Sequence, residues 1–91
     1  MSASVDQLLD EYKTKLVSIN PDFAQHFHTL LDLIKEQNQN NTSWSIDLVH
    51  ETMHTAYSCA LMGFHPSVVI EITKISISTG IDESRLYQFL R

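Results

Sequence analysis

Apolar residues recur at three- and four-residue intervals along nearly the whole chain, and that spacing limits the fold more than any other feature. Val5, Leu8, Leu9, Tyr12, Leu16 and Ile19 form one such stripe. It predicts an amphipathic helix, with Ser4 as N-cap, Gln7 as a weak capping-box partner, and an end at Asn20 before Pro21. Pro21 suits the first turn of a second helix capped by Asn20, with Phe23, Phe27, Leu30, Leu31 and Ile34 as its buried stripe. A third helix is expected from Ser43 or Ser45, with Trp44 near its start. Ile46, Met53 and Tyr57 centre its stripe, joined by Val49, Ala60 and Leu61. Gly63 fits a left-handed cap after Met62, Phe64 can fold back on the last turn, and His65-Pro66 opens the next element.

Two stretches break the regularity. Glu36 to Ser43 is polar without an apolar anchor and reads as a mobile loop. Val68 to Thr79 is crowded with β-branched residues, and Ile70, Ile72, Ile75 and Ile77 partly alternate, which favours a strand by propensity. Helical spacing runs through Val68, Ile72, Ile75 and Thr79 as well. A lone strand in a helical chain has no pairing partner, so a helix is expected. A short closing helix from Asp82 carries Leu86, Phe89 and Leu90. The expectation is an all-α fold, a four- or five-helix bundle forming a single domain over residues 1–91.

Ninety-one residues support one core. The apolar fraction of 43% is ordinary for a folded domain. No apolar run is long enough for a membrane span, and no basic-then-apolar leader opens the sequence, so an intracellular, cytoplasmic protein is expected. A single cysteine, Cys59, excludes an internal disulfide framework. With no cationic neighbour in sequence, it reads as a packing residue on the back of the third helix. The formal net charge is −5, and the acidity lies in the first two-thirds, because Glu71, Asp82 and Glu83 balance Lys74, Arg85 and Arg91. Phosphate neutralisation needs Lys and Arg in excess, so the overall charge disfavours nucleic acid.

Two constellations carry possible chemistry. The segment from Ile72 to Arg91 places Ser76 where helices cross closely, Gly80 at a turn, Ile81 after it, and Leu86 and Phe89 facing inward. It resembles the helix-turn-helix of phage-repressor-type regulators over about twenty residues. That resemblance implies a DNA-recognition surface at Ser84, Arg85, Tyr87 and Gln88, with Arg and Gln as readers of base edges. Asp82 and Glu83 depart from it, setting negative charge where the second helix would approach phosphate. The same surface can also serve protein binding.

The second is His50-Glu51-Thr52-Met53-His54, a His-Glu-x-x-His sequence. On a helix both imidazoles face one way and can ligate zinc, with Glu51 as general base. It resembles the zinc-peptidase signature. The metzincin pattern needs a third histidine where Ala60 stands, and Glu71 is the one candidate for the gluzincin arrangement. Ordinary flanking histidines on a packed helix fit the same residues, and no cofactor is expected. Leu48, Cys59 and the surplus isoleucines of Val68–Ile77 suggest a second apolar surface. The function expected from these features is a small acidic regulator, adaptor or inhibitor working through protein binding, as a homodimer or with another chain. A helix-turn-helix DNA-binding regulator and a small zinc hydrolase are the alternatives.

Overall fold

The β-branched stretch after His65 is an α-helix in the computed structural model, which describes residues 2–38 and 45–90, with backbone alone for residues 2–4, 87, 89 and 90. In chain order the helices are α1 (Ser2–Ile19), α2 (Phe23–Gln37), α3 (Ile46–Leu61), α4 (Pro66–Thr79) and α5 (Glu83–Leu90). The chain is all-α, and the described residues contain no strand.

Punctuation residues explain most helix boundaries. His65 sits extended at the N-cap of α4, its Nδ1 accepting the Ser67 N–H at 3.2 Å, with Pro66 in the first turn. Gly80 closes α4 in the left-handed region, at φ 76°, and Gly63 adopts φ 87° just after α3. Ser45 caps α3 through a long 3.4 Å bond from the Leu48 N–H. Asn20 does not cap the second helix: the N-cap is Asp22, and the Asn20 Oδ1 accepts the Asp22 N–H at 3.0 Å in the turn that leads into it. Regular helix begins at Phe23, two residues later than Pro21, because Pro21 and Asp22 form a turn hydrogen-bonded into it.

Three further expectations need correction. Helix α1 starts at Ser2 rather than after Ser4, since Ala3 is an excellent helix former and nothing before Ser4 stops the coil. The loop expected from Glu36 starts later, because Glu36 and Gln37 complete the last turn of α2 with their side chains in water. The rest of that tract, residues 39–44, and Trp44 with it, lies outside the described residues. On α3 the buried residues are Val49, Thr52, Met53, Thr55, Ala56, Cys59 and Ala60, while Ile46 is 48% exposed and Tyr57 half-buried. The side of α3 read as its back, with Cys59, is therefore core.

Packing follows from that broad stripe of small residues. Helix α3 packs extensively on both α1 and α4, and also touches α2 and α5. Helix α2 lies against α4 and α1. Tyr12 meets both His50 and Tyr57 edge-on, at 6.1 and 6.2 Å between ring centroids, and Leu8 lies beside Ile46, so α1 and α3 run in the same direction. The ring contact between His26 and His65 likewise sets the starts of α2 and α4 at one end. Phe23, Leu16, Leu30, Ile34, Met53 and Ile72 are the largest side chains wholly enclosed. Burial of Val69, Ile70, Ile72, Thr73 and Ser76 follows a helical and not an alternating pattern. Thr73 satisfies its buried hydroxyl by donating to the Val69 carbonyl at 2.7 Å, whereas the enclosed Thr52 hydroxyl has no partner among the described residues. None of the described helices is long and apolar enough to cross a membrane.

Candidate functional site

The two constellations of the sequence meet in space. His50, Glu51, His54 and Thr55 of α3 face Ser76 of α4 and the Gly80–Glu83 corner across a cleft of about 440 Å³. That size is within the ordinary range for ligand sites. A second crevice, of about 170 Å³ between Gln7, Leu8, Glu11 and Ile46, is shallower.

The short connection from α3 to α4 reverses the chain, which returns the end of α4 to the start of α3. The left-handed Gly80 then turns α5 across that end. Ser76 fixes the corner by donating its hydroxyl to the Ile81 carbonyl at 2.7 Å. Asp82 starts α5: its Oδ1 accepts the Ser84 N–H at 2.8 Å and the Ser84 hydroxyl at 2.7 Å. These two bonds, with a smaller contribution from the Arg85 charge, hold the Asp82 carboxyl below the usual carboxylate range.

A depressed pKa means that the cap is complete above the ordinary carboxylate value and is lost as pH falls through the lowered one. Amide hydrogen exchange in α5 is expected to accelerate as pH drops below about 4, after correction for the intrinsic exchange rate. In Asp82→Ala that acid sensitivity should be gone and α5 should exchange faster at neutral pH. An α5 whose protection is unchanged in the variant would refute the capping role.

The cleft chemistry is acidic and aromatic. Glu51, Asp82 and Glu83 line it together with two imidazoles, and among the described residues no Lys or Arg does. The His50 and His54 rings lie parallel within 7°, with centroids 6.0 Å apart, and His50 also rests against Tyr12. Thr55 is only 5% exposed yet borders the cleft, and its hydroxyl has no hydrogen-bond partner among the described residues. Ile81 adds an apolar wall that is 40% exposed.

The expected site residues divide accordingly. Ser84, Arg85 and Gln88 are exposed on α5, while the side chain of Tyr87 lies outside the described residues. Ser84 is committed to Asp82 by both its N–H and its hydroxyl. Leu86 is half-buried and packs against the core. His50 and His54 share one face, but among the described residues no group of three His, Cys, Asp or Glu is placed to hold a metal ion. Ala60 is buried, and Glu71 is exposed on α4 away from the cleft lining. Thr55, Ser76 and Glu83 were not foreseen as parts of one site with the histidines. Only the α3–α4 reversal brings them together. No protein-family model, curated protein or solved structure matches this chain.

Proposed function

We propose that this is a small regulatory or adaptor protein that works inside the cell by binding another protein, seating a segment of it in the α3–α5 cleft. The observation that supports this is the lining itself, three carboxylates beside an exposed isoleucine with no Lys or Arg among the described residues, on a chain of net charge −5. A cationic segment with an apolar neighbour complements such a surface, and opposite charge speeds its encounter. The exposed face of α5, with Arg85 and Gln88, borders the same corner and extends the contact area.

The test is retention of a partner from source lysate, with nuclease present, by the native chain and by Glu83→Lys. A discrete protein held by the native chain and lost by a variant of unchanged helicity supports the reading. Retention that is equal in the two proteins overturns it. Light scattering of the purified chain tells whether a second copy is that partner.

The helix-turn-helix alternative draws on the α4–Gly80–α5 corner and on the exposure of Ser84, Arg85 and Gln88. Against it, the first N–H groups of α5, which a phosphate would need, include the Ser84 donor taken by Asp82, and the adjoining cleft repels phosphate. Material released by nuclease would restore that alternative.

A further inference from the structure

We infer that the α3–α5 cleft recognises the guanidinium of an arginine side chain presented by the partner protein, which deepens the proposed function and rests on it. Each wall offers a different part of what an arginine requires. Glu51 from α3 and Glu83 from α5 bring carboxylates from opposite sides, and neither carries a hydrogen bond or ion pair among the described residues. Asp82, the third carboxylate, is already engaged by Ser84. A guanidinium is planar with five N–H donors in a fixed fork, so it can satisfy two carboxylates at once, where an ammonium acts as a compact point charge.

Thr55 supplies the second, independent indication. The residue is 95% buried, yet its hydroxyl, unlike that of Thr52, is not enclosed. Thr55 borders the cleft and its hydroxyl has no hydrogen-bond partner among the described residues, so it is available to accept an N–H from a group that enters. The parallel imidazoles of His50 and His54 offer flat faces on which a guanidinium stacks, which an ammonium exploits less well. Ile81 lies where the aliphatic stem of the arginine would run. Among the described residues no Lys or Arg lines the cleft to fill this place, and Arg85, whose charge reaches Asp82, is outside the lining.

The experiment is a backbone NMR titration of the full chain with acetyl-Gly-Arg-Gly-amide, and with its citrulline and lysine counterparts. Citrulline keeps the shape of arginine and removes the charge. The arginine peptide is expected to shift the signals of Thr55, Gly80 and Glu83 and to saturate, with the lysine peptide weaker and the citrulline peptide at least about tenfold weaker. Added salt should weaken binding. Glu51→Gln and Glu83→Gln should each reduce it and together abolish it, with circular dichroism confirming an intact fold. Equal shifts with citrulline, or shifts that persist in the double variant, would overturn the proposal. If Glu83→Lys still loses a lysate partner while the arginine peptide gives no shifts, the cleft binds protein without reading arginine. If neither responds, the cleft is not the interface.

Discussion

Phe23→Ala is expected to bring the protein close to unfolding. Phe23 is wholly enclosed at the first position of α2, and its N–H bonds the Asn20 carbonyl at 3.0 Å, so it anchors both the core and the α1–α2 turn. Truncating a buried phenylalanine costs about 3–5 kcal/mol, against a total of roughly 5–14 kcal/mol for a domain of this length. Thermal melting followed by circular dichroism should show a midpoint lowered by about 15–30 °C. Ile75→Ala, on the exposed face of α4, should lie within about 0.5 kcal/mol of the native chain. A Phe23→Ala midpoint within about 5 °C of native would show that this part of the core is not formed as described.

Gly80→Val has the second large effect, and it acts through the backbone alone. At φ 76° Gly80 occupies the left-handed region, and a Cβ added there meets no atom within 4 Å. Holding a side chain in that conformation costs about 1–2 kcal/mol, and more for a β-branched residue, with no steric relief available from neighbours. The strain falls on the corner that directs α5 across the cleft, so the Ser76–Ile81 hydrogen bond and the arginine site should weaken together. A graded series is expected, with valine worst, alanine intermediate and asparagine mildest, because asparagine tolerates the left-handed region. Melting temperature and arginine-peptide affinity should follow the same order. Valine and asparagine variants of equal stability would show that the corner carries no such constraint.

The helices themselves were legible from spacing, and the reasons for the misreadings are physical. In α4 the expected helix is found although local propensity favours a strand, because propensity is a weak preference beside the burial of Val69, Ile72, Thr73 and Ser76 against neighbouring helices. Of the apolar stripe expected on α3, Val49, Met53 and Ala60 are buried, whereas Ile46 and Leu61 are exposed and Tyr57 is half-buried. Thr52, Thr55, Ala56 and Cys59 complete the buried side, small side chains that let α1 and α4 approach closely. Glu36 and Gln37 looked like loop because polar residues on the solvent face of a last helical turn carry no apolar period. At the candidate site, His50, Glu51, His54 and the exposed residues of α5 were each identifiable by type and spacing. Their shared cleft was not, since it depends on the direction of α4 and the left-handed Gly80, and the unpartnered hydroxyl of Thr55 is visible only once its surroundings are known.

The pairing of α1 with α3 and of α2 with α4 bears on how the chain reaches this fold. Helices adjacent in sequence form two hairpins, yet much of the packing runs from one hairpin to the other. Each hairpin alone would leave an apolar face in water, so neither half is expected to be stable by itself. The two hairpins are joined through the polar sequence that follows α2, and the entropy of bringing together two parts of a chain grows only logarithmically with the number of residues between them. Mutational lengthening of that stretch should therefore be well tolerated, while any lesion to one hairpin is felt by both. The seam shared by the two hairpins is expected to make them unfold as one cooperative unit.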